Sequence, residues 1–220
     1  MISDLPPWEY GKLILPFVKK STYMLDMGTG GGEFLSTLKP LPKNTYATEA
    51  YPPNIPIAKK NLEKRGIKVV LVMKHEKLPL PNDFFDLIIN RHEYYYPHEV
   101  YRILKPNGIF ITQQVGKYDN IELNQFFGDK TYKKAKWDLK YASLQLKENG
   151  FDILDGKEVV FKEHFRDIGA VVFYLRMISW QIPDFDIDKN VNRFKELHFK
   201  IQKTGQFTTH GHRFLIIAKK

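Results

Sequence analysis

Near the start of the chain, Asp26-Met27-Gly28-Thr29-Gly30-Gly31-Gly32 combines an acid with a run of glycines, a pattern that can bind a ligand through its backbone. Glycine adopts turns closed to other residues and lets a ligand approach the main chain closely. A dinucleotide loop would set a pyrophosphate against the following helix N-terminus. Here Asp26 stands two residues before the first glycine, and an acid in that place repels phosphate and attracts an ammonium group. Glu49 follows at about the twenty-residue spacing at which a carboxylate can accept both hydroxyls of a ribose. The two acids around one glycine turn suit an adenosine-containing ligand with an amino-acid tail and no phosphates. The plainer alternative is that both acids cap turns at strand ends.

A second group, Asn90-Arg91-His92-Glu93-Tyr94-Tyr95-Tyr96, follows an apolar run. His92 is the candidate general base there, with Glu93 as its orienter. The plain alternative is a histidine that bonds a neighbouring loop and does no chemistry. Tyr94 and Tyr95 are candidates for stacking on a flat substrate, or else core or lid material.

Both groups need elements to hold them, and the apolar periodicity predicts alternating strands and helices. Strands are expected over 22–27, 45–48, 68–72, 85–90, 108–114, 151–155 and 213–218. Helices are expected over 7–19, 33–38, 57–65, 97–104 and 137–149, the last stopped by Gly150. Such alternation, with short connections, implies a parallel sheet with helices on both faces. Ligands of open α/β sheets bind at the carboxyl ends of the strands, where both candidate groups fall.

With 220 residues, 43% of them hydrophobic, the chain is read as one domain. Its parts are a helical lead (1–20), a ligand-binding core (21–115), the second half of the sheet (116–165), an insertion (166–209) and a last strand (210–220). The absence of cysteine removes disulfides, thiolate metal sites and a cysteine nucleophile. The seven histidines match no metal spacing, and no metal is expected. With neither a secretion signal nor an apolar span in view, a soluble, cytoplasmic protein without membrane association is expected. The net charge of +9 comes from lysines scattered along the chain, and is read as a solvated basic surface rather than a nucleic-acid track.

The stretch 24–32, Met-Leu-Asp-Met-Gly-Thr-Gly-Gly-Gly, resembles the first motif of the class I S-adenosylmethionine-dependent methyltransferases. Three further segments are similar to that family's: 76–80 (Glu-Lys-Leu-Pro-Leu), 85–89 (Phe-Asp-Leu-Ile-Ile) and 99–110, where a helix stops at Lys105-Pro106 before a Gly108 turn. Together they cover about 22–115. The resemblance implies a three-layer αβα Rossmann-like methyltransferase fold, with a seven-stranded sheet of order 3-2-1-4-5-7-6 and an antiparallel last strand. It also implies S-adenosylmethionine as donor and S-adenosylhomocysteine as product. Asp26, Gly28, Thr29 and Gly30 would hold the amino-acid end, Glu49 and Ala50 the ribose, with Asn90 and Arg91 at the end of the fourth strand. Where the family places an acid near the adenine amine this chain has Lys74, so His75 or Glu76 is expected to take that contact.

The expected reaction is methyl transfer to an O or N atom of a small or medium-sized metabolite, under a helical cap formed by 166–209 that includes Trp180. Asn90-Arg91-His92-Glu93 is not the Asn/Asp-Pro-Pro-aromatic motif of exocyclic-amine base methyltransferases. An RNA methyltransferase and a donor-binding protein without catalysis are the alternatives, and the protein is expected to be a monomer or homodimer.

Overall fold

A computed structural model describes residues 1–74 and 76–220. In chain order the strands are β1 (Ile2–Ser3), β2 (Tyr23–Met27), β3 (Asn44–Glu49), β4 (Lys68–Leu71), β5 (Phe85–Arg91), β6 (Leu104–Val115), β7 (Asp152–Phe165) and β8 (Phe207–Lys219). The helices are α1 (Tyr10–Lys20), α2 (Glu33–Thr37), α3 (Ile55–Leu62), α4 (Pro97–Ile103), α5 (Ile121–Phe127), α6 (Leu139–Glu148), α7 (Ile168–Met177) and α8 (Val191–Thr204).

The strands form one sheet in the order β1-β7-β8-β6-β5-β2-β3-β4. Without β1, and numbered along the chain, this is the expected 3-2-1-4-5-7-6 order of a Rossmann-like methyltransferase fold. The pairs β2–β3, β2–β5, β3–β4 and β5–β6 are parallel. Residue 108 meets 220 while residue 116 meets 212, so β8 runs antiparallel to β6. The expected strand count of seven is corrected to eight, because β1 pairs antiparallel with β7 through Ile2–His164 and Ser3–Glu163. Two residues are too few to show alternation, so nothing local marks them as a strand.

β7 and β8 run to 14 and 13 residues, well beyond 151–155 and 213–218. Charged residues at Lys157, Glu158, Lys162 and Glu163 interrupt the apolar signal of the first. His210 and His212, which precede the predicted strand 213–218, lie within β8.

The chain divides into two compact units. The first comprises Trp8–Gln114, Leu139–Lys157 and Phe214–Lys220. Its core joins Tyr10, Ile14 and Val18, one face of α1 at i, i+4 and i+8, to Met24, Leu87, Ile89 and Ile111 of the parallel strands. β5 reads Phe-Asp-Leu-Ile-Ile-Asn-Arg and is buried from Leu87 to Asn90, as a central parallel strand covered on both faces must be. The second unit comprises Met1–Pro7, Val115–Asp138 and Glu158–Arg213, and has a core of its own built on Leu123, Phe165, Val171, Leu197 and Ile201. Among the described residues, no helix is long and apolar enough to cross a membrane.

Candidate functional site

The first unit brings the sequence-predicted acids to neighbouring strand ends. Asp26 lies one residue from the end of β2, in register with Ala47, and Glu49 ends β3 two residues further along. Both are buried, at 4% and 5% exposure. Between them the glycine turn is tied to β3, because the Gly28 amide donates to Thr48 Oγ1 (3.3 Å) and the Thr29 amide to the Thr48 carbonyl (2.9 Å). Gly28 has φ +68°, and a Cβ there would overlap the Cβ and Cγ of Glu93. Gly32, at φ +85°, starts α2 where a Cβ would meet Leu62 Cγ at 2.7 Å. Glycine is therefore required at both positions by backbone conformation and by space.

Glu49 Oε1 accepts the amides of Ala50 (2.9 Å) and Tyr51 (2.7 Å), so the carboxylate shapes the turn leaving β3. Burial pushes the Asp26 carboxyl up to about 7. The Thr29 hydroxyl and the Arg91 guanidinium pull it back, and the Glu49 carboxylate adds to the rise. Arg91 lies over the ring of Phe34 at 4.2 Å. A narrow cleft is lined by Gly28, Thr48, Glu49, Ala50, Glu93 and Tyr94, with Met27, Val72 and Leu78 as its apolar parts.

Asn90 is fully buried at the end of β5. Its Oδ1 accepts from Thr112 Oγ1 (3.1 Å) and Gln114 Nε2 (2.7 Å), while its Nδ2 has no partner among the described residues. Its main chain is pinned by α1, because the Tyr10 hydroxyl donates to the Asn90 carbonyl (3.0 Å) and accepts from its amide (3.2 Å). Burial, and then the Asp26 charge, hold that hydroxyl firmly protonated.

His92 is exposed, with φ +67°, and its amide donates to the Gln113 carbonyl (2.8 Å). Its Nε2 lies 3.3 Å from Gln113 Nε2, so that ring nitrogen is engaged by Gln113. The Glu93 carbonyl accepts from Gln114 Nε2 (3.0 Å). Tyr94 is 55% exposed at the cleft, whereas Tyr95 is 2% exposed and packs edge-on against Phe110, so its ring belongs to the core and offers no stacking face. Glu76 Oε1 accepts the Tyr96 hydroxyl at 3.3 Å. His75 lies outside the described residues. Trp180, in the second unit, is 71% exposed. Among the described residues, no group of three or more histidines and acids is placed to hold a metal.

Sequence reasoning missed Trp8, Tyr10, Thr48, Gln113 and Gln114, which position the predicted residues. The one local signal was Gln113-Gln114, two amides closing the apolar run Ile109-Phe110-Ile111.

Three acids around a glycine turn, with a guanidinium close enough to act on Asp26, suit a cationic ligand that ends in an amino acid. The ammonium can face Asp26 and the carboxylate Arg91, and Glu49 remains for neutral hydroxyls. This cradle fits S-adenosylmethionine better than a phosphate-bearing nucleotide.

Residues 25–112 match the family model of a methyltransferase domain. No curated protein matches the chain in sequence. Among solved structures, a Bacillus halodurans protein described as a methyltransferase is similar with a TM-score of 0.67 at 16% identity, over 96% of this chain and 98% of that one. The YcgJ protein of Bacillus subtilis gives 0.62 at 16% identity, over 96% and 97%. An S-adenosylmethionine-dependent methyltransferase of Mesorhizobium loti gives 0.58 at 15% identity, over 96% and 95%. At these identities the likeness is one of fold.

Proposed function

We propose that the chain is a class I S-adenosylmethionine-dependent methyltransferase, a reading supported by the methyltransferase-domain match over residues 25–112, and that its donor site is the cleft between the ends of β2, β3 and β5. The observation that carries this reading is the pair of buried acids, Asp26 and Glu49, flanking the Gly28 turn with Arg91 near the first. Asp26 and Arg91 bind the two charges of the donor's amino-acid end, and the turn of Gly28, Thr29 and Gly30 gives it close approach to the backbone. Glu49 and Ala50 take the ribose, and Glu76 the adenine side.

The bound donor supplies an activated methyl group on its sulfonium. The chain's own contribution is chiefly to align an acceptor for in-line attack. Tyr94, half-exposed beside the cleft, offers a ring face for a flat acceptor. His92 and Glu93, at the end of β5, are the polar groups nearest in sequence to that face. We take the acceptor to be an O or N atom of a small or medium-sized, partly aromatic metabolite.

Calorimetric titration with S-adenosylmethionine and S-adenosylhomocysteine tests the donor site. Micromolar binding is expected in the parent protein, and it should be strongly weakened in Asp26→Ala and in Glu49→Gln. Full affinity in either variant, with the fold intact by circular dichroism, would place the donor elsewhere.

A further inference from the structure

Trp8, Gln113 and His92 form a chain of hydrogen bonds whose direction is fixed at one end. The Trp8 indole Nε1–H lies 2.8 Å from Gln113 Oε1, and indole has a donor and no acceptor. The oxygen of the Gln113 amide must therefore face Trp8, which settles the orientation that an amide otherwise leaves ambiguous. Its NH2 group then faces His92 Nε2, at 3.3 Å. An NH2 group only donates, so Nε2 must accept and cannot carry a hydrogen. Protonating the ring at Nε2 would set N–H against N–H.

We propose that Gln113 is a positioning residue that fixes His92 as the neutral Nδ1–H tautomer. In that form the Nε2 lone pair is taken up by the Gln113 amide. His92 then cannot act as the base through Nε2, and any part it plays in the reaction is confined to its Nδ1–H side. Gln113 is well placed for this, being buried itself and accepting the His92 amide at its own carbonyl, so the ring and its backbone are held by one residue. The part played in methyl transfer rests on the donor site proposed above, whereas the tautomer does not.

The test is 15N NMR of the full chain labelled at histidine, with the His92 signals assigned by their loss in His92→Asn. The long-range 1H–15N pattern separates a protonated from an unprotonated ring nitrogen. Nδ1 is expected to appear protonated and Nε2 unprotonated near neutral pH. Gln113→Glu should reverse this, because a carboxylate accepts from both Trp8 and His92 and so draws the proton to Nε2. Trp8→Phe, which leaves Gln113 free to turn over, should give an averaged pattern, and it serves if Gln113→Glu does not fold. An Nε2–H tautomer or an averaged pattern in the parent overturns the proposal, as does a pattern unmoved in a folded variant. Binding of S-adenosylhomocysteine, measured on the same samples, keeps the two readings apart. Its absence from the parent would remove the donor site and leave the tautomer standing, and its presence beside a wrong tautomer would do the reverse.

Discussion

Glu93 lies directly against Gly28, so that a side chain begun at Gly28 would run into the Cβ and Cγ of Glu93 and come within 2.7 Å of its Oε2. The overlap is with the root of the glutamate side chain, which cannot swing aside without moving its backbone. One end of β5 is thereby built around the missing side chain of the turn after β2.

Gly28→Ala should accordingly suffer twice. Its φ of +68° costs an L-residue about 1–2 kcal/mol, and overpacking against Glu93 should add roughly 1–3 kcal/mol. In a Glu93→Gly background, which removes the Cβ as well as the Cγ, only the backbone cost should remain. Urea unfolding of the two single variants and the double variant measures this, and equal penalties in both backgrounds would show that the two residues are not in contact.

Asp26 should make donor binding depend on pH. Its carboxyl sits at about 7 in the ligand-free protein, because burial outweighs the help of Thr29 and Arg91. Only the ionised form meets an ammonium, so affinity should fall roughly fivefold between about pH 7 and about pH 6, with proton release on binding. The stability effect has the opposite sense. With the folded value raised above 3.8, the group's contribution is full below that value and is lost as pH rises through about 7. Asp26→Asn should flatten both profiles, seen by calorimetry in buffers of different ionisation enthalpy and by thermal melting. An Asp26→Asn protein that kept the parent's pH dependence would assign it to another group.

The glycine turn and its two acids were legible because each signal is local, whereas the order of the core strands came from the family resemblance. Asp26 lies two residues from the first glycine, and β5 announces itself by the apolar run Leu87-Ile88-Ile89. The groups that hold them were not legible, because Trp8 reaches Gln113 across 105 residues and Tyr10 reaches Asn90 across 80. The inward turn of Tyr95 between exposed Tyr94 and half-buried Tyr96 is likewise a packing outcome, set by Phe110 on the neighbouring strand. His212 is buried by the same kind of distant contact, with Glu158 at 3.0 Å from its Nε2 and the Tyr118 ring stacked at 5.2 Å.

Glu49 does two jobs that substitution can separate. Its Oε1 accepts two backbone amides, which Gln can continue to serve and Ala cannot. Glu49→Gln should stay within about 1 kcal/mol of the parent, and Glu49→Ala should lose roughly 1–3 kcal/mol through unsatisfied amides. Both should bind S-adenosylhomocysteine about tenfold or more weakly, since the charged acceptor for the ribose is gone in each. Melting curves read alongside titration would expose the alternative, in which Glu49→Gln binds as well as the parent and the residue is only a cap.

Tyr10 carries the most specific prediction about how the site is held. One hydroxyl serves both the amide and the carbonyl of Asn90, the last buried residue of β5, and the first turn of α1 supplies it. Tyr10→Phe keeps the ring against Phe34 but removes the hydroxyl's bonds to the Asn90 main chain, which should cost about 1 kcal/mol. The damage should also be local. Hydrogen exchange at the Asn90 amide should quicken by more than at Leu87, whose burial does not depend on the hydroxyl, and the adjoining His92 signals should shift. A Tyr10→Phe protein with parental stability and unchanged exchange at Asn90 would mean that the strand end is held by the sheet alone, and that α1 contributes only its apolar face.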